Sequence, residues 1–386
     1  MLFFKLISTA LFGAPLVIGA AATTTSSNND LQELFSLNAQ ALNALNQTGH
    51  SKKSTCSLTT AYVRRDWAVL SSDEKKAYIA AVKCMQAKPS IADPSFAPGA
   101  RTRYDDFVAV HINQTLTIHG TGNFLTWHRY FTYAYEQALR NECGYTGTQP
   151  YWNWLSYREN PRESPLFDGS DTSFSGDGVY VPHNGSVNGA GYVYIPSGRG
   201  GGCVYSGPFV NYTINLGPTD PIQAGMKPSP TLLGYNPHCL SRDLSNYTAT
   251  HWLTLENILN VTIGKASASV YDFQNELQGR FPDLFLGLHT AGHGVMGGVS
   301  GDLFSSPVDP VFFLHHSMID RTYWIWQALH PKQADTIAGT LTLLNNPPSR
   351  NTSVDDVLIM GTLSASPKIK EVLDTLGGTP LCYYYE

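Results

Sequence analysis

Residues 309–321 read Asp309-Pro310-Val311-Phe312-Phe313-Leu314-His315-His316-Ser317-Met318-Ile319-Asp320-Arg321. Helical periodicity runs from about residue 311 to 330, so two histidines sit inside an apolar helix directly behind Phe312, Phe313 and Leu314. Upstream, His289 and His293 occupy another helical pattern, at 284–294, with Leu288 before the first of them. Farther back lies a third set. His111 follows Phe107, Val108 and Val110, His119 follows eight residues later, and His128 comes behind Phe124, Leu125 and Trp127. Seven of the chain's 12 histidines fall in these groups, a clustering that scattered surface histidines do not produce.

Spacing gives the groups a geometry. His289 and His293 are four apart, one turn of a helix, and so share a face as a two-imidazole clamp. A third ligand has to come from another segment, and His315 or His316 is available. The first group is comparable, with His128 on a helix predicted over 124–141 and His119 on the loop before it. Two sets of three neutral imidazoles, without thiolate or carboxylate, suit copper, zinc, iron or nickel. A zinc protease is disfavoured because Thr290 stands where H-E-x-x-H requires its glutamate. Blue copper is disfavoured because no cysteine accompanies these histidines.

The rest of the chain bounds the class. Lys5, an apolar run from Leu6 to Ile18 and the small residues Ala20, Ala21 and Ala22 read as a secretory signal peptide over residues 1–21. The run is shorter than the roughly 20 residues needed to span a bilayer. An extracellular location is therefore expected, with no membrane partner. The even count of cysteines, Cys56, Cys84, Cys143, Cys203, Cys239 and Cys382, predicts up to three disulfides in any of 15 pairings. Seven Asn-x-Ser/Thr triplets, at Asn46, Asn113, Asn184, Asn211, Asn246, Asn260 and Asn351, predict some N-glycans. A net charge of −5 with few charged residues argues against a nucleic-acid partner.

Helices are also expected near 31–45, from a Ser71/Glu74 capping box to about Ala87, over 105–112, over 252–260 and over 267–280. Residues 168–207 hold eleven glycines and read as a long irregular excursion with short strands. The tail after Pro331 is mixed, and nothing resembles a linker between the helix groups. The expectation is a single mainly α domain over 22–386 with long irregular loops and a few short strands.

His119-Gly120-Thr121-Gly122-Asn123-Phe124-Leu125-Thr126-Trp127-His128-Arg129, followed by Thr132 and Glu136, resembles the first copper signature of tyrosinases, catechol oxidases and molluscan-type haemocyanins. Residues 309–321 resemble the second, and Pro150-Tyr151-Trp152-Asn153-Trp154 resembles a further family segment. The likeness spans about 105–330. It implies a four-helix-bundle core holding two copper ions about 3–4 Å apart, as two-metal sites do. By position it implies His111, His119 and His128 on one copper, and His289, His293 and His316 on the other. His315 becomes a supporting residue. Arg129 and Asp320, each following a ligand, are expected to pair across the bundle and orient both ligand helices. Thr117 and Ile118 precede His119, so the Cys–His thioether of many relatives is not expected.

The implied activity is oxidation of o-diphenols by O2 to o-quinones and water. Many tyrosinases place Asn after the first ligand of the second copper and Glu three positions before that ligand, holding a water that activates monophenols. Here those positions are Thr290 and Leu286, which favours catechol oxidase over tyrosinase. Asp283 and Glu276 are the remaining candidates for a base. Leu303 and Phe304, between the second ligand and the Asp-Pro motif, are candidates for a bulky group overhanging the second copper. A haemocyanin-like O2 carrier is the other reading of the same ligands, disfavoured by the size of one domain. The ending at Cys382-Tyr383-Tyr384-Tyr385-Glu386 carries the expectation that no C-terminal plug domain follows.

Overall fold

The computed structural model describes residues 19–48 and 56–386. The apolar run expected as a signal peptide lies outside the described residues. The first helix, α1 (Gly19–Thr48), leads to a short strand β1 (Tyr62–Arg64) and then to α2 (Ser72–Ala87), α3 (Arg103–Ile118) and α4 (Phe124–Cys143). A loop-rich middle carries β2 (Gly178–Tyr180), β3 (Ser186–Asn188), β4 (Val193–Ile195), β5 (Gly201–Val204), β6 (Thr213–Ile214) and β7 (His238–Cys239). Helices resume with α5 (Asn246–Trp252), α6 (Leu255–Thr262), α7 (Val270–Gln278), α8 (Gly287–Met296) and α9 (Val311–Leu329), and the strand β8 (Tyr383–Tyr385) comes last. Every sheet among the described residues is a two-stranded pair. The protein is thus mainly helical with few, short strands.

Local chemistry explains most of the helix ends. The Ser71/Glu74 capping box opens α2 where the sequence places it. A second box, Thr102 with Asp105, starts α3 two residues before the expected position. The same helix outruns its expected end at 112. Its buried stripe continues through His111, Thr115 and Ile118, and that packing overrides the weak helical preference of Thr115. The single helix expected over 252–260 is two, because Leu253 closes α5 and the Thr254 hydroxyl caps α6 by accepting from the Asn257 N–H at 3.2 Å.

Helices α3, α4, α8 and α9 form the core that carries the histidines. Phe313 of α9 stacks flat on Tyr135 of α4, with centroids 3.5 Å apart, and Phe107 of α3 and Phe131 of α4 close around it. Helix α1 packs on α9, burying Leu34, Leu37 and Ala41. The mixed tail returns to the core. β8 pairs in parallel with β1, Tyr383 opposite Tyr62 and Tyr385 opposite Arg64. Three disulfides form: Cys56–Cys382 beside that pair, Cys84–Cys143 between the ends of α2 and α4, and Cys203–Cys239 in the loop-rich middle. Among the described residues no helix is long and apolar enough to cross a membrane.

Candidate metal centre

The bundle brings the histidine groups together. One ring nitrogen from each of His111, His119 and His128 lies within 4.8 Å of the others, and the same holds for one from each of His289, His293, His315 and His316. The groups adjoin: the rings of His119 and His289 are 5.9 Å apart, and His128 stacks on His316 at 4.5 Å. All seven are buried.

In the first group each ring is turned by a backbone carbonyl. His111 Nδ1 lies 2.6 Å from the Phe304 carbonyl oxygen, His119 Nδ1 3.0 Å from that of Thr115, and His128 Nδ1 2.9 Å from that of Phe124. A carbonyl only accepts, so the proton sits on Nδ1 and the Nε2 lone pair is left free. Nε2 of His111 and of His128 is buried with no hydrogen-bond partner. Across the bundle His289 Nε2 is likewise without a partner, while His293 Nε2 and His316 Nε2 face each other at 3.3 Å. Buried polar atoms without partners are rare. Several lone pairs converging on one place is what a metal-binding site presents before its ion is added. The donor set fits copper, consisting of neutral imidazoles alone.

His315 differs from its neighbour. Its Nδ1 accepts from the Trp154 indole N–H at 3.1 Å, and its Nε2 donates to the His289 carbonyl at 2.9 Å. Both nitrogens are therefore occupied by the protein. The ring also lies against Gly292 of α8, where an added Cβ would stand 2.1 Å from His315 Cε1.

Burial, which penalises the imidazolium, dominates the electrostatics. It holds His111, His128, His289, His293 and His316 well below the usual histidine value, with neighbouring imidazoles adding to the effect. His119 is pushed down to about 4 and His315 to about 3 by the same desolvation. At neutral pH every ring is uncharged, the form that binds metal.

The supporting frame is charged. Arg129 Nε donates to Asp320 Oδ1 at 2.5 Å, and the Tyr383 and Tyr385 hydroxyls donate to Asp320 Oδ2 at 2.6 and 2.7 Å. Arg64 reaches Asp320 at 3.5 Å and Glu136 at 2.5 Å. Burial raises the Asp320 carboxyl, but Arg129, Arg64 and the two hydroxyls outweigh it and hold it below its usual value. Of these residues Arg64, Tyr383 and Tyr385 carried no signal in the sequence. The Phe304 carbonyl carried none either, since any residue supplies one. Trp154 stood in the recognised Pro-Tyr-Trp-Asn-Trp segment without a role.

The pocket candidates are placed as follows. Leu286 is buried directly before α8. The Thr290 hydroxyl donates to the Gln278 carbonyl at 2.8 Å. Phe304 packs part-buried against the core, and Leu303 is 38% exposed. Glu276 and Asp283 are both ion-paired to Arg280.

Similarity to known proteins agrees with this centre. Residues 101–329 match the common central domain of tyrosinase. The tyrosinase-like protein orsC of Emericella nidulans is 41% identical over 337 residues, covering 83% of this chain and 89% of that protein. Tyrosinase P of Aspergillus terreus is 38% identical over 84% of this chain and 91% of its own length. The N-acetyl-6-hydroxytryptophan oxidase ivoB of Emericella nidulans is 38% identical over 86% and 94%. A solved structure of a mutant polyphenol oxidase from Thermothelomyces thermophila superposes with a TM-score of 0.86 at 40% identity, over 92% of this chain and 98% of that one. A match to that central domain over more than half of this chain, with relatives this similar across most of both chains, places the chain in the tyrosinase family.

Proposed function

We propose that the protein is a secreted dicopper oxidase that uses O2 to convert o-diphenols to o-quinones, two diphenols per O2, with water as the other product. His111, His119 and His128 hold one copper in this reading, and His289, His293 and His316 the other. The observation that carries it is the clustering of these imidazoles, with Nε2 of His111, His128 and His289 buried and without protein partners. His315 is left out of the ligand set because Trp154 and the His289 carbonyl already occupy both its nitrogens. Copper, when bound, supplies one-electron exchange at each metal between the diphenol and O2.

The chain's own work is positional. Carbonyls of Phe304, Thr115 and Phe124 fix the proton on Nδ1 and present Nε2. Arg129 and Asp320, one residue after His128 and four after His316, lock the two ligand helices together. Aromatic packing excludes water around the rings.

Preference for diphenols follows from what is missing around α8. A phenol must lose its proton before it binds metal, and its pKa near 10 makes that uphill at neutral pH. A placed base typically contributes about 10²–10⁴-fold. Leu286 cannot serve, the Thr290 hydroxyl proton is held by Gln278, and Glu276 and Asp283 are both engaged in ion pairs with Arg280. The test is the ratio of initial rates on a catechol and its matching monophenol, measured by oxygen consumption after copper loading and followed past any lag. A high ratio that falls in Leu286→Glu with Thr290→Asn supports the assignment. Comparable wild-type rates on both substrates move the protein to the tyrosinases. Leu303 and Phe304 are proposed as rim residues. Truncation of the right one to Ala should widen the range of substituted catechols accepted, and unchanged substrate ratios in both variants would remove the gate.

A further inference from the structure

Gln278 ends α7 and belongs to neither ligand group, yet it touches the neighbours of both. Its side-chain Oε1 accepts from the Gly120 N–H at 2.8 Å, and Gly120 directly follows His119. Its main-chain carbonyl accepts from the Thr290 hydroxyl at 2.8 Å, and Thr290 directly follows His289. The amide end is itself fixed, since Gln278 Nε2 donates to the Gln274 carbonyl at 3.2 Å. Gln274 in turn donates to the Ala338 carbonyl. Two residues on, the Thr340 carbonyl accepts from the Gly122 N–H at 2.9 Å, which closes the circuit on the loop that carries His119.

This circuit matters because of how His119 is mounted. It lies just past the end of α3 in extended backbone, φ −120° and ψ 141°, and the next residue, Gly120, has φ +57°. Helical hydrogen bonds therefore do not hold that loop in place. His289 lies in the first turn of α8, on helical backbone. The distance between the two rings, 5.9 Å, spans the junction of the groups. Gln278 is the residue that bonds to both sides of it.

We propose that Gln278 is a positioning residue that sets the separation of the two three-histidine groups, and so governs cooperation between the metals rather than their capture. The inference rests on the dicopper reading above. Each ligand set keeps its own orienting bonds when Gln278 is changed, so Gln278→Ala should still bind copper in wild-type amount. Its kcat should fall by about 10–100-fold, the usual effect of losing an outer partner, with KM little changed. Gln278→Glu retains an acceptor for the Gly120 N–H but loses the donor to the Gln274 carbonyl, and should recover part of the loss.

The experiment measures copper per chain, the electron paramagnetic resonance of the oxidised copper-loaded protein, and kcat with KM. Two cupric ions held close couple and give little signal, whereas ions allowed apart give more. Full copper, a raised signal and a lowered kcat in Gln278→Ala, partly reversed in Gln278→Glu, is the expected result. Full copper with wild-type signal and kcat in Gln278→Ala overturns the inference. Loss of folding is checked by thermal unfolding of the metal-free variants. Thr290→Val, which removes only the second bond, should then show the same signal change in smaller measure, and its absence also overturns the inference. Failure of the wild type to bind two coppers would instead overturn the dicopper reading itself.

Discussion

Gly292→Ala is a one-carbon change with a large expected cost. The new Cβ would lie 2.1 Å from His315 Cε1 and 2.4 Å from its Nδ1. Ordinary contact begins near 3.4 Å, so the ring must retreat by about 1.3 Å. It is held on two sides, by the Trp154 indole at 3.1 Å and the His289 carbonyl at 2.9 Å, and cannot move that far with both bonds intact. Overpacking a dense core costs about 1–3 kcal/mol, and a buried donor or acceptor left unpaired costs about 1–3 more. Together these predict a loss of about 2–6 kcal/mol. The assay is urea unfolding of the metal-free protein at constant m, in wild-type and His315→Ala backgrounds. With the imidazole gone the clash disappears. Alanine then exceeds glycine as a helix former by about 0.8–1 kcal/mol, so the same substitution should become neutral or stabilising. Coupling of at least about 2 kcal/mol in this cycle is the expected outcome. An equal effect in both backgrounds, or none in the wild type, would refute the reasoning that His315 is packed and bonded rather than free to move.

Three further outcomes follow. His316→Ala should lose about one copper per chain and nearly all turnover, whereas His315→Ala should retain two coppers by elemental analysis, and the reverse pattern would exchange their roles. Asp320→Ala should cost the metal-free protein about 3–5 kcal/mol by leaving Arg129 buried and unpaired, and a loss under about 1 kcal/mol by urea unfolding would mean that the pair is not structural. The sign with pH is also determined. The His119 pKa falls from 6.5 to about 4 on folding, so the unfolded chain takes up its proton first, and stability is present above pH 6.5 and lost as pH falls toward 4. Unfolding midpoints of the metal-free protein across that window should decline on acidification, and a flat profile would show that these rings are not held neutral.

The histidine groups were legible because metal-binding chemistry fixes residue type and spacing. A spacing of four from His289 to His293 places them on one helix face in any context, and apolar neighbours mark the helix as buried. The capping box at Ser71 was legible for a similar reason, since its bonds close within one turn. The length of α3 was not, because Thr115 and Thr117 are poor helix formers and the burial of Thr115 and Ile118 that favours the longer helix is set by the tertiary fold.

The sequence by itself determined the helical class, the two histidine groups and the family resemblance, all consequences of local periodicity and residue chemistry. Only the tertiary structure decided which cysteines pair, that Tyr383 and Tyr385 return from the far end of the chain to Asp320, that a carbonyl at Phe304 turns His111, and that Trp154 occupies one nitrogen of His315. Each of these joins residues far apart in the chain. Backbone carbonyls and phenol hydroxyls are common to many positions, so no pattern of letters marks the one that packing selects.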